Sequence, residues 1–302
     1  MRALPHLARA AERAYRFNGW FAAPGDAMFC RVSTTDQASE VSVMVLGARG
    51  SIPVSGAEFL TYGGSTTCFA VLEGDTVCGF IDAGTGLMGF RSMGLELSGA
   101  IPVFLTHYHW DHIQGVSMLG EVWAGACLFT FFGPGDPEKN LTEAIRPPWF
   151  PVSLDEAPEP VEYGSIDQPV SSGPLTVTAF EVQHPQGGVG YRIDGPNRSL
   201  AVVTDHESAP DCDDVVAAAI DGVDVLIHDA QYLPSEAAAY VGWGHSTWED
   251  AVRMAKRVGA AELILTSHEP SRTDADVDAM VAAARELFPN TRASGPGVRI
   301  SL

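Results

Sequence analysis

Residues 106–112, Thr-His-Tyr-His-Trp-Asp-His, follow directly on the apolar run 101–105, and this junction constrains the chain more than any other stretch. It places three imidazoles (His107, His109, His112) and the carboxylate of Asp111 at the end of a strand. Residues two apart in an extended chain point the same way. His107 and His109 can therefore converge on one cation while Asp111 and His112 turn toward a second. Imidazole nitrogens and a carboxylate suit zinc, with manganese or iron as further occupants. A polar loop whose histidines only pack and solvate has no need of so many ligand groups at one place.

The pattern His-x-His-x-Asp-His resembles the signature of the metallo-β-lactamase fold superfamily, and that family's other motifs have counterparts in the same order. Residues 79–86, Gly-Phe-Ile-Asp-Ala-Gly-Thr-Gly, are similar to its strand-ending Asp-x-Gly motif. His184 in Val-Gln-His-Pro, Asp205 in Val-Thr-Asp and His268 in Leu-Thr-Ser-His are similar to its third, fourth and fifth motifs. The resemblance implies one cation on His107, His109 and His184, another on Asp111, His112 and His268, and Asp205 bridging the two. Water between two such cations is acidified, which suits hydrolysis of a phosphate ester. Each downstream residue also has its own argument. His184 precedes a Pro-x-Gly-Gly turn and has no capping role there. Asp205 and His268 end apolar strands, where a polar group is costly unless paired or metal-bound. Asp82, at another strand end, is expected to orient ligands rather than to bind a cation.

Residues 242–249, Gly-Trp-Gly-His-Ser-Thr-Trp-Glu, are similar to the Gly-His-Ser/Thr motif of the family's phosphodiesterase branch. That branch includes the Z-type tRNA 3′-end endonucleases and the phosphoribosyl cyclic phosphate phosphodiesterases. There the histidine contacts the scissile phosphate and protonates the leaving oxygen, held by an acidic residue. The resemblance implies that role for His245, with Asp229 of Ile-His-Asp-Ala as its partner. A carboxylate on His245 would favour the imidazolium form. The alternative is that Ser246 and Glu249 form a capping box which His245 merely precedes. The family's di-iron oxidoreductases carry Glu where this chain has His109, so hydrolysis is expected. Loop 47–51 has two readings, an anion contact through its amides and the Arg49 guanidinium, and an ordinary glycine-rich turn after a strand, which is the one favoured. His206 reads as a solvated neighbour of Asp205, and His228 as buried scaffold.

At 302 residues and 46 % hydrophobic composition, the chain can bury a large core as one domain or two fused halves. The fold class expected is α/β, a four-layer αβ/βα sandwich with two mixed sheets, over residues 41–302. Strands are expected at 41–46, 67–72, 76–81, 101–105, 175–180, 188–193, 200–203, 223–228 and 262–266, and helices at 213–220, 248–258 and 274–288. Residues 1–40 read as an N-terminal extension with an amphipathic helix in 1–25. Residues 133–174 hold nine of the 20 prolines and are acidic, an insert expected near the active-site mouth as a lid or homodimer contact.

No apolar run approaches the roughly 20 residues that cross a bilayer, so no membrane partner is expected. Cys30, Cys68, Cys78, Cys127 and Cys212 show no C-x-x-C pairing, which fits a reducing, cytoplasmic setting. A net charge of −20 argues against a long nucleic acid as partner. The 20 residues between His184 and Asp205 carry only Arg192 and Arg198 as basic groups, leaving no room for the basic arm with which Z-type enzymes grip tRNA. The substrate expected is a small anion, a cyclic phosphodiester such as a cyclic nucleotide or phosphoribosyl cyclic phosphate. The extra cysteine-built zinc site of the phosphoribosyl enzymes has no counterpart here. The alternatives are a lactonase or thioesterase, a promiscuous phosphotriesterase, and a non-catalytic metal-binding member of the fold.

Overall fold

The apolar runs become the strands of two sheets. In the computed structural model, which describes residues 40–302 apart from 98, 126, 159 and 160, the strands are β1 (Val41–Gly47), β2 (Cys68–Glu73), β3 (Thr76–Ile81), β4 (Glu96–Leu97), β5 (Ala100–Phe104), β6 (Leu128–Phe132), β7 (Glu162–Gly164), β8 (Val170–Ser172), β9 (Leu175–Val182), β10 (Gly188–Asp194), β11 (Ser199–Val203), β12 (Val225–Asp229), β13 (Glu262–Thr266), β14 (Thr291–Ala293) and β15 (Arg299–Ser301). The amphipathic helix expected in 1–25 lies outside the described residues. One sheet runs β15-β1-β2-β3-β5-β6-β7 with β4 beside β3; the other runs β14-β13-β12-β11-β10-β9-β8. Both are mixed: β3, β5, β6 and β7 are parallel, as are β11 to β14, and the remaining pairs of each path are antiparallel.

Alternation along the strands builds the layers, because neighbouring side chains leave opposite faces of a sheet. Ile81, Phe104, Ile227 and Ile264 enter the core between the sheets together with Val43, Phe69, Tyr191 and Val202. Their neighbours Phe80, Val103, Leu226, Leu263 and Leu265 face outward onto helices. On the first sheet the cover includes α1 (Trp110–Ile113), α2 (Gly120–Ala124) and α3 (Pro137–Ala144); on the second it is α4 (Pro210–Ala219), α5 (Trp248–Val258) and α6 (Asp274–Leu287). The result is the expected four-layer sandwich. Helix α4 starts three residues earlier than its apolar pattern suggests because Pro210 suits a first helical turn, where its missing N–H costs nothing.

The topology sets the site. β3 and β5 run parallel, as do β11, β12 and β13, and their C-terminal ends deliver Asp82, His107, Asp205, Asp229 and Ser267. Ligand sites favour this end of parallel strands. Five described non-glycine residues hold a left-handed backbone: Ser51 (φ 59°), Asp82 (56°), Gln186 (65°), Asp205 (50°) and Ser267 (58°). L-residues seldom adopt this conformation, and where they do the strain tends to mark functional positions. Asp82, Asp205 and Ser267 each stand within two residues of a strand end.

Candidate metal centre

The Oδ2 atom of Asp205 is the hub. It lies 3.2 Å from Nε2 of His112, 3.6 Å from that of His107, 3.9 Å from that of His184 and 4.0 Å from that of His245. What the histidines present to this hub follows from the partner on each ring's other nitrogen. Gly244 O accepts from His184 Nδ1 at 2.9 Å, and Gln186 Oε1 accepts from His109 Nε2 at 2.8 Å. The remaining nitrogens, His184 Nε2 and His109 Nδ1, are then both lone-pair acceptors, 3.1 Å apart. Asp82 accepts from His112 Nδ1 at 2.8 Å and from the Thr106 hydroxyl, whose oxygen in turn accepts from His107 Nδ1 at 3.1 Å. That leaves Nε2 of His107 and of His112 buried with no hydrogen-bond partner.

Four imidazole lone pairs and a buried carboxylate facing one another are satisfied by a cation and by little else. His107, His109 and His184 bring their nitrogens within 4.8 Å of one another, and so do His107 and His112 with Asp205. The donor set fits a divalent metal. Burial opposes charge on His112, yet the carboxylates of Asp205, Asp82 and Asp111 outweigh it and raise its pKa well above the ordinary histidine value. Burial and the neighbouring His112 push His107 the other way, well below that value.

Of the seven ligands expected from the sequence, six gather here. His107, His109, His112, His184 and Asp205 form the centre, and Asp111 joins at its edge, its Oδ2 3.3 Å from His112 Nε2 and accepting the Ser51 amide at 2.9 Å. His268 does not join them. Its Nε2 donates to Ser294 O at 2.9 Å and its ring packs edge-on against Tyr62, 5.6 Å between centroids. Burial lowers its pKa to about 4, and the charges acting most on it are those of Arg49, Arg272 and Asp274, not of the metal-site carboxylates. The residue after β13 that faces the centre is Ser267, whose hydroxyl lies 3.5 Å from Asp205 Oδ1.

The second constellation forms beside it. Asp229 Oδ2 accepts from His245 Nδ1 at 2.8 Å, and the same carboxylate is fixed by the backbone amides of His206 and Gln231. Burial opposes charge on His245, but Asp229 and then Asp205 lift its pKa to about 9. The capping box of α5 sits one residue later than Ser246 and Glu249 suggest: Thr247 and Asp250 make it. Ser246 donates instead to His206 O, so His245 is not a bystander to a cap.

One other expectation is corrected, and the favoured turn reading of loop 47–51 holds. His206 is fully buried, not solvated, with Nε2 on Asp213 at 3.1 Å. Arg49 has its guanidinium bound to the carbonyls of Gly63, Glu269 and Arg272 and is unavailable to an anion. Three contributors escaped sequence reasoning. Thr106 and Gln186 set histidine tautomers, and Glu207 accepts the amides of Gly242 and Gly244, tying down the His245 loop. Only the Pro-x-Gly-Gly turn around Gln186 offered a signal.

A cavity of about 710 Å³ opens beside His107 and His109, with Tyr108, Glu181 and Gln186 in its wall, and Pro134, Gly135 and Asn140 of the proline-rich segment also line it.

Comparison with known proteins places this arrangement. The chain is similar to a ribonuclease Z of Gemmatimonas aurantiaca, 35 % identical over 281 residues that cover 76 % of this chain and 88 % of that protein. Among solved structures it is similar to the metallo-beta-lactamase fold protein YhfI of Bacillus subtilis, at 20 % identity and a TM-score of 0.66 over 87 % of this chain and 100 % of that one. A diphosphatase of the PhnP family gives 19 % identity and a TM-score of 0.66 over 87 % and 97 % of the respective chains. Since the Beta-lactamase superfamily domain matches residues 80–268, a span reaching from the Asp82 motif to His268, the chain belongs to that superfamily, as a metal-dependent hydrolase of the metallo-β-lactamase fold.

Proposed function

We propose that the protein is a phosphodiesterase for a small cyclic phosphodiester, such as a cyclic nucleotide or a phosphoribosyl cyclic phosphate, and that it works with two divalent cations, zinc among them. The observation that carries this reading is the His245–Asp229 pair, set 4.0 Å from the metal-site carboxylate of Asp205. When bound, the cations would supply an acidified water and neutralise charge on the phosphoryl oxygens.

The side chains of the protein supply the rest. Asp229, immobilised by two amides, holds Nδ1–H of His245 and so aims Nε2 at the centre. Held as imidazolium, His245 pairs with the phosphate and hands its Nε2 proton to the departing ribose oxygen. The cavity wall carries one charged side chain besides histidine, Glu181, and no basic residue. That lining, with the net charge of −20, favours a small anion drawn in by the cations over a long polyanion held by a basic surface.

A comparison of leaving groups tests the acid role. In His245→Gln, turnover of a cyclic nucleotide should fall by roughly 10²–10⁴-fold. Bis-p-nitrophenyl phosphate, whose nitrophenolate departs without a proton, should lose far less, with bound metal unchanged. Equal losses on both substrates would remove His245 from the role of acid. A wild-type protein that opens lactones and leaves both phosphodiesters intact would overturn the substrate class.

A further inference from the structure

We infer that the chain binds its two cations unequally: one tightly, through His107, His109, His184 and Asp205, and one loosely and exchangeably, at an oxygen-rich place made by Asp111, His112 and Asp205 where Ser267 stands in the position of a further imidazole. The inference rests on the two-cation reading above.

Three observations carry it. Ser267 follows β13 directly, at φ 58°, as Asp82 follows β3 at φ 56°. This left-handed turn brings the Ser267 hydroxyl to 3.5 Å from Asp205 Oδ1, with both residues buried. The same turn sends His268 elsewhere, onto Tyr62 and Ser294 O. The two places then differ in donors. The first gathers three imidazole nitrogens, of which two already face each other at 3.1 Å. The second has His112, with Asp111 Oδ2 at 3.3 Å and Asp205 Oδ2 at 3.2 Å, and its other near imidazole, His107, is already one of the first place's three.

Imidazole-rich sites hold zinc firmly, whereas sites made of carboxylate and hydroxyl oxygen suit harder cations such as manganese or magnesium. A neutral hydroxyl in place of an imidazole nitrogen leaves the second place short of a strong ligand. Zinc therefore fills the first place and manganese exchanges at the second.

Metal content measured by mass spectrometry on the full chain tests this. After loading with zinc and dialysis against a moderate chelator, the wild type should retain about one zinc per chain. Titration with manganese, followed by electron paramagnetic resonance, should then show one further site that empties on gel filtration. Ser267→His, which the left-handed backbone tolerates better than most residues, should retain two zinc ions through the same dialysis. His268→Ala should retain one, like the wild type. Two zinc ions held equally by the wild type, or loss of a zinc from His268→Ala, would overturn the inference and leave the two-cation reading standing. A chain that takes up no cation even in excess metal would overturn both.

Discussion

At Gly244 the backbone passes so close to the metal centre that no side chain fits: a methyl group there would overlap His184 Nδ1 and Pro185, and φ is +84°. The same carbonyl sets the tautomer of His184. Gly244→Ala should therefore weaken tight zinc binding by about ten- to a hundredfold, the usual cost of disturbing a ligand's outer hydrogen bond. Competition with a fluorescent chelator measures it, and an unchanged affinity would show that the loop does not support His184. Residue identity was largely legible in the sequence, since buried histidines and aspartates at strand ends have few other uses. The choice between Ser267 and His268 was not. It depends on one left-handed φ, and a shift of one position beyond a strand exchanges the residue that faces the site for the one that leaves it.

At the scale of the element, the strands were legible wherever apolar runs were bounded by glycine or proline. Six strands were not expected: β4, β7, β8, β14 and β15 are only two or three residues long, and β6 (Leu128–Phe132) has Phe129 and Phe131 buried and Thr130 partly exposed but no turn signal directly before it. The capping of α5 was misread by one residue because Ser246-Thr247 and Glu249-Asp250 offer two capping boxes in tandem; the tertiary bond from Ser246 to His206 O decides between them.

β12 also carries His228, whose Nδ1 donates to Asp229 O while its Nε2 is buried without a partner. Burial, then His206, lowers its pKa from 6.5 to about 4. Between those values the unfolded chain takes up a proton that the folded chain refuses, so stability rises with pH across the window. It is intact above pH 6.5 and declines as pH falls toward 4, by about 3 kcal/mol at most for a shift of this size. Urea denaturation of metal-free protein should show this slope, and His228→Asn should flatten it. An equal slope in both proteins would mean that His228 does not titrate on unfolding.

At the scale of the whole molecule, two sheets packed face to face bring residues from Asp82 to Ser267 to one edge, although most are far apart in sequence. This convergence was legible only through the resemblance of the motifs to a known superfamily; neither periodicity nor composition states which strand ends meet. The proline-rich segment is ordered into the first sheet through β7 and the second through β8, and it lines the cavity with Pro134, Gly135 and Asn140. No helix among the described residues is long and apolar enough to cross a membrane.

All of this depends on unsatisfied lone pairs converging beside one carboxylate. Crystals grown with zinc and measured on both sides of its absorption edge locate the metal directly. The strongest anomalous peak should lie within bonding distance, about 2.0–2.2 Å, of the nitrogens of His107, His109 and His184 and of an oxygen of Asp205. A strongest peak away from these four residues, or none there at saturating zinc, would contradict the account.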